Sequence, residues 1–268
     1  MRNDLEKPAL ALLHPDWKAP KRVHAVFTLR EGGVSSGPFG GAQGVCGLNV
    51  GLYCGDAKVC VRTNRAFIAQ VVGGEPRWLH QVHGTEIVRA DDAAPETEAD
   101  GAWTQTPGVV CAVQTADCLP VILADEAGVV VAALHAGWKG LAGGILQKGA
   151  ALVRGKAGPG ARVFAWLAPR IGPESFEVGG EVLEAMLERL PAAREAFAPG
   201  QAPGKWMADL GALARQALQA SGIAAEDIAD CGLSTVTDPD HFYSYRRDRA
   251  VTGRHAALVW ISDKEDDE

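Results

Sequence analysis

The sequence is short of positive charge, histidine, cysteine and long apolar runs, and each shortage removes a class of function. Its formal net charge is −7 and its pI is near 5.5, whereas binding a phosphate backbone needs a basic surface that releases counterions. Nucleic acid is therefore not an expected partner. The N-terminal stretch holds only a five-residue apolar run, Ala9 to Leu13, which is too short for the core of a secretory signal. No run reaches membrane-spanning length, so no membrane association is expected. Six cysteines in 268 residues, none spaced as CxxC, fit a reducing compartment, and the expected location is the cytoplasm. The seven histidines, at positions 14, 24, 80, 83, 135, 241 and 255, include no HxH pair. A multi-copper cluster is short of ligands on that count.

What is present is an ordinary globular composition, 47% hydrophobic and 22% charged, which is enough apolar material for a sizeable core. Repeats at solenoid periods and Ser/Gly linkers are missing, so residues 1–268 read as one domain, with 1–21 and 263–268 as peripheral tails. Strands are expected over Val23 to Arg30, Arg77 to Ala90, Val109 to Gln114, Leu119 to Ala124, Val129 to His135, Val163 to Leu167 and Ala256 to Ile261. Helical periodicity marks Leu141 to Arg154, Gly180 to Leu190 and Ala208 to Ala220. A further helix, capped by Asp56 and stopped by Gly73 and Gly74, carries Cys60, Asn64, Phe67 and Val71 on its inner face and Arg62 and Arg65 opposite. Hairpin strands interleaved with helices give an α/β (α+β) class with mixed sheets.

The chemistry concentrates in DCLPVILADEAGVVVAALHAG, two apolar strands joined by a turn at Asp125 to Gly128. A turn centred between Glu126 and Ala127 sets Cys118 opposite His135, on one sheet face and close enough to share a metal ion. Pro120 favours an edge or a bulge and works against that register. In WLHQVHG, strand alternation groups Leu79, Gln81 and His83 and sends His80 to the other face, so His83 joins the set and His80 does not. Each residue alone has a plainer reading, as a buried thiol or a hydrogen-bonded imidazole. HAGWKGLAGG opens a helix just after His135, where N–H groups and the helix dipole favour an anion and Lys139 adds charge. Arg246, Arg247, Arg249 and Arg254 form a local basic patch that serves surface ion pairs or phosphate. Asp117, beside Cys118, is a candidate acid or base that a regular strand would point away from the site.

Several motifs together resemble one family. HQVHG at 80–84, TADCLPV at 115–121, HAGWKG at 135–140, IGPESFEVG at 171–179 and FYSYRRD at 242–248, with GGVSSGPFGG and LNVGLYCGD upstream, are similar to the YfiH family, also labelled laccase-domain or polyphenol-oxidase-like. The resemblance spans roughly residues 22–262. It implies a four-layer α/β/β/α sandwich and a zinc site formed by His83, Cys118 and His135, which serve both as metal ligands and as the catalytic set. It further implies purine nucleoside phosphorylase activity on adenosine, inosine and 5′-methylthioadenosine, with adenosine deaminase activity. Purine nucleosides and phosphate are then the partners, met by a monomer or small homo-oligomer. By the same matching, Asn49, Arg62, Gln81 and Arg246 are candidate substrate or phosphate contacts. Ala168, Pro169 and Arg170 depart from the family pattern before Ile171.

Three N/S ligands leave a tetrahedral zinc one open position, as catalytic sites do, and a water held there becomes acidic enough to serve deamination near pH 7. Phosphorolysis needs instead a phosphate poised at the ribose. The rival readings are a copper polyphenol oxidase, a Cys118/His135 hydrolase, and a zinc-dependent binding or scaffold protein; Cys118 cannot be both a zinc thiolate and a free nucleophile.

Overall fold

The computed structural model describes residues 10–263. Two mixed sheets form the frame. One runs in the order Leu12–Leu13, Val23–Thr28, His255–Ile261, Val110–Thr115, Pro76–Arg77; the other runs Ile228–Asp230, Val163–Leu167, Leu119–Asp125, Val131–Ala136, Gly101–Thr104, Ile87–Arg89. Both are antiparallel in the middle and end in parallel pairs, at Pro76–Arg77 in the first and at Ile228–Asp230 and Ile87–Arg89 in the second. Strand alternation then sorts the side chains. From Leu119–Asp125, the residues Leu119, Val121 and Leu123 enter a cluster shared with helices α3 (Ile145–Ala157), α4 (Gly180–Leu187) and α5 (Leu210–Ala220). Ile122 and Ala124 enter another, shared with Phe27, Val113, Ala257 and Val259 of the first sheet. The outer face of that sheet, with Val26, Ala112 and Leu258, packs on Ile68 and Val72 of α1 (Lys58–Val72). With both faces covered, Leu119–Asp125, Val131–Ala136 and Val163–Leu167 are buried at every position, which is why they read as unbroken apolar runs.

Five expectations need correction. Leu141 to Arg154 is not one helix: α2 (Trp138–Gly143) and α3 meet at Gly144, whose φ of 91° breaks the ladder. Asp56 does not cap α1; the cap position is Ala57, and the Asp56 carboxylate accepts from Ser35 Oγ and Asn49 Nδ2. The buried face of α1 is Val61, Asn64, Arg65, Ile68 and Val72, so Arg65 lies inside rather than in solvent. Its guanidinium bonds Val50 O and pairs with Glu96 at 2.7 Å, an arrangement that periodicity cannot foresee because burial follows from the partners. Arg77 to Ala90 is not one strand but three short pieces, Pro76–Arg77, Leu79–His80 and Ile87–Arg89, separated by Trp78 and by an irregular, bent segment at 81–86. The central hairpin sets His135 opposite Pro120, not Cys118, because the Asp125 carboxylate accepts from the N–H groups of Ala127, Val129 and Val130 and lengthens the turn. That slip is two residues, an even number, so Cys118 stays on the His135 side.

Of the expected tails, residues 1–9 and 264–268 lie outside the described residues, while Leu12–Leu13 pairs with Val23–Thr28 as an edge strand. Among the described residues no helix is long and apolar enough to cross a membrane.

His255 opens the strand His255–Ile261 as a fully buried imidazole whose Nε2 accepts the Tyr243 N–H at 2.7 Å. Burial, opposed by the Thr28 carbonyl and reinforced by the charges of Arg30, Arg247 and Arg254, holds its pKa down at about 3. The unfolded chain binds a proton near pH 6.5 and the folded one does not, so this stability is full above pH 6.5 and is lost as pH falls towards 3. Chemical unfolding at pH 7 and pH 5 is expected to show a loss of about 2 kcal/mol from this group. His255→Gln should flatten the dependence by a similar amount; an identical pH drop in both proteins would reassign it to other groups.

Candidate metal centre and active site

His83, Cys118 and His135 converge: one ligand atom from each lies within 4.8 Å of the other two. They arrive by different routes. His135 comes from the buried strand Val131–Ala136, Cys118 from the bend just before Leu119–Asp125, and His83 from a turn at a φ of 61°. His83 therefore sits in a left-handed bend and not at a strand end, a conformation that persists in a non-glycine residue only when its surroundings hold it.

Asp100 is what holds it. This fully buried carboxylate, one residue ahead of strand Gly101–Thr104, accepts the backbone N–H groups of Val82, His83 and Gly84 at 3.1, 2.9 and 2.6 Å. Its Oδ1 also lies 2.8 Å from His135 Nδ1, and its backbone carbonyl accepts the His135 N–H at 2.7 Å. One side chain thus fixes two ligands. With Nδ1 engaged, His135 offers Nε2 to a cation, the carboxylate–histidine arrangement of metal sites. Burial alone would raise the Asp100 pKa, but the bond and charge of His135 and the amides of Gly84 and Val82 outweigh it and hold the carboxyl below its ordinary value.

The same balance sets the thiol. Burial pushes Cys118 up, yet His135 and His83 beside it bring it down to about 6, so it rests as a thiolate near pH 7. Burial pulls His135 down, while Cys118 and Asp100 raise it to about 9. A bound cation would displace that imidazolium proton.

The geometry fits a metal ion. A tetrahedral zinc with bonds of about 2.3 Å to sulfur and 2.0 Å to nitrogen separates the two ligand atoms by roughly 3.5 Å, and Cys118 Sγ lies 3.8 Å from His83 Nε2. Gly137 keeps the space open, since a Cβ there would meet His83 Cδ2 at 2.9 Å and Cys118 Sγ at 3.0 Å. Gly137→Ala is accordingly expected to displace a ligand side chain and weaken metal binding about tenfold, read by chelator competition. Unchanged affinity would show that the ligands move aside freely.

The three ligands open onto a cavity of about 500 Å³, within the range of small-molecule sites. Gln81 and Arg246 line it as expected; Asn49, Arg62 and Lys139 do not. Asn49 is buried and fully engaged, its carbonyl accepting the N–H groups of Gly51 and Arg254 and its amide donating to Asp56, so it shapes the wall from behind. Arg62 stands exposed on α1, and Lys139 stands exposed above the Trp138 ring at 5.7 Å. Gln81 is locked to the Gln114 backbone by bonds of 2.8 and 2.6 Å. Asp117 does line the cavity, but Thr235 Oγ1, Ser244 Oγ and the Arg246 N–H all donate to its carboxylate, so it ties the loop around Arg246 to the metal wall. Of the basic patch, Arg247 forms an ion pair, with Asp248 at 2.8 Å. Arg170 is spent on Asp230 through two bonds of 2.8 and 3.0 Å and lies off the cavity.

Sequence reading missed Asp100, Tyr53, Phe176 and Tyr245. The three aromatic residues line the cavity. The motifs PESFEVG and SYRR do flag the neighbourhood of the last two, but nothing in the spacing around Asp100 marks it.

The family described as multi-copper polyphenol oxidoreductase laccase matches residues 24–262. A purine nucleoside phosphorylase of Pseudomonas aeruginosa is 45% identical over 253 residues, covering 94% of this chain and 99% of its own. The purine nucleoside phosphorylase YfiH of Escherichia coli is 42% identical over 253 residues, covering 93% and 98%. Among solved structures, a Neisseria meningitidis protein of family DUF152 superposes with a TM-score of 0.85 at 42% identity, covering 94% of this chain and 99% of its own. YlmD from Geobacillus stearothermophilus gives 0.82 at 29% identity, covering 91% and 94%. With the motifs, the fold and a match of this length in agreement, the chain belongs to the YfiH, laccase-domain family.

Proposed function

We propose that this chain is a zinc-dependent purine nucleoside phosphorylase, converting adenosine, inosine and 5′-methylthioadenosine with phosphate to free base and ribose 1-phosphate, with adenosine deaminase activity in the same site. The observation that carries the reading is a His–Cys–His set open to a cavity of about 500 Å³ that also presents arginine. Relatives 42% and 45% identical bear the phosphorylase name, and the donor set suits zinc. Zinc held by His83, Cys118 and His135 would supply Lewis acidity and water activation. The chain's own residues do the rest: Asp100 fixes the His135 tautomer, Gln81 and Gln114 stiffen the wall, and Arg246 offers positive charge to phosphate. Function in the cytoplasm belongs to the same reading.

Copper chemistry of the multi-copper kind is less favoured, because the described residues hold a single three-ligand group. A second reading has one observation behind it: Cys118, His135 and Asp100 stand in the order nucleophile, base and orienting acid, with the thiol already depressed to about 6. Chelation separates the two, since it abolishes nucleoside turnover by the zinc enzyme and spares a thiol hydrolase.

The expected outcome with pure protein is adenine and ribose 1-phosphate from adenosine only when phosphate is present, while inosine forms with or without it. Arg246→Ala should slow phosphorolysis about 10- to 150-fold and leave deamination nearly intact, the cost of one charge-assisted bond to phosphate. Base release that ignores phosphate concentration would overturn the phosphorylase reading in favour of a hydrolase.

A further inference from the structure

The four arginines of the C-terminal basic patch have separate fates. Arg247 is consumed by Asp248 and by the carbonyls of Thr235, Val236 and Phe242. Arg249 is exposed and does not reach the cavity. Arg246 and Arg254 both line it.

Those two are built alike. Each guanidinium lies over an aromatic ring at 5.6 Å, Arg246 over Phe176 and Arg254 over Tyr245. Each uses Nη1 on two backbone carbonyls, those of Ser175 and Glu177 for Arg246 and those of Thr252 and Gly253 for Arg254. Among the described residues neither has an acidic partner, and the Nε and Nη2 groups of both donate to none of those residues. Stacking and carbonyl bonds remove the rotamer freedom that a flexible arginine loses on binding, while the unspent N–H groups keep the fork that matches a planar or tetrahedral oxyanion. The backbone is fixed as well: Asp117 accepts the Arg246 N–H, Asn49 accepts the Arg254 N–H, and the Arg254 stem packs against Gly51, where a Cβ would come within 2.7 Å. Asp117 is the only acidic residue lining the cavity among the described residues, and its carboxylate already has three donors. In a chain of net charge −7, this wall carries local positive charge.

We propose that Arg254 and Arg246 together form an oxyanion clamp in the cavity, and that its ligand is the inorganic phosphate that attacks the ribose. This rests on the phosphorylase reading for the identity of the anion and adds Arg254 as a binding residue. The lysine and helix start at Trp138–Lys139 have no part in it. The reaction balances without a further reagent: a phosphate oxygen forms the bond to C1′, the C1′–N9 bond breaks, and the purine leaves with the electron pair and takes up a proton.

The test measures inorganic phosphate binding to metal-loaded protein by calorimetry, without nucleoside, and separately the phosphate KM of adenosine phosphorolysis. Arg254→Gln and Arg246→Gln are each expected to weaken phosphate about 10- to 100-fold, with metal content unchanged. Arg254→Lys, which keeps charge and loses the fork, should fall between, and it carries the test if the glutamine variant does not fold. Arg249→Gln should behave as wild type. Wild-type phosphate affinity in Arg254→Gln, or no phosphate binding by the parent protein, would overturn the clamp. Phosphate bound through both arginines without phosphorolysis of any purine nucleoside would sink the functional reading and leave the clamp standing; phosphorolysis indifferent to Arg254 would do the reverse.

Discussion

Cys118→Ser is expected to yield folded protein almost devoid of metal. The thiolate is the softest of the three ligands and, brought down to about 6 by His135 and His83, it is charged near pH 7; a serine hydroxyl is neutral there. The fold does not depend on it. Cys118 lies in a bend at the rim, half-buried, and the bend itself is closed by Thr115 Oγ1 donating to the Cys118 carbonyl at 2.6 Å, a bond that serine keeps. Elemental analysis of untagged protein should therefore drop from about one metal per chain to near zero, while chelator-treated wild type and variant unfold at similar denaturant concentrations. A variant that unfolds would make the site structural. One that retains stoichiometric metal would remove Cys118 from the ligand set.

Asp100→Ala should be the most damaging change at a residue that touches no metal. Loss of the carboxylate frees His135 Nδ1, so the ring no longer holds the tautomer that exposes Nε2, and removing such a partner typically weakens metal binding about 10- to 100-fold. It also leaves the N–H groups of Val82, His83 and Gly84 without their acceptor, at roughly 1 to 3 kcal/mol for each one that water cannot reach. His83, held at a φ of 61° by those bonds, is then free to leave the left-handed region. Metal titration and chemical unfolding of the metal-free protein read the two losses separately. Asp100→Asn, which still accepts through one oxygen, should recover part of the stability and little of the affinity. Wild-type affinity in both variants would show that the histidines orient themselves.

The parts of this molecule legible in the sequence are those set by local pattern. Val163–Leu167 is where its apolar run says, and the other core strands differ by a residue or two, because a segment buried on both faces carries its own signature. The three ligands were legible for a related reason. Cys118 and His135 flank one hairpin, and a register error of two residues cannot change the face they share. His83 entered through strand alternation that the chain does not adopt, and the right residue came from the wrong conformation. The motif resemblance supplied what that pattern could not.

What the tertiary structure alone decided is which polar groups find each other. Arg62 and Arg65 are three residues apart on one helix, yet Arg65 is buried because Val50 and Glu96, distant in sequence, receive its guanidinium. Arg246 and Arg254 face the cavity, and Arg247 does not, because Asp248 and three carbonyls capture it. Asp100 looks like any acidic residue before a strand until the turn at Val82–Gly84 and the ring of His135 close around it. Apolar burial repeats with the period of the local backbone and so is written along the chain. A hydrogen bond or an ion pair needs a partner at one place and angle, and that place exists only once segments far apart in sequence have packed.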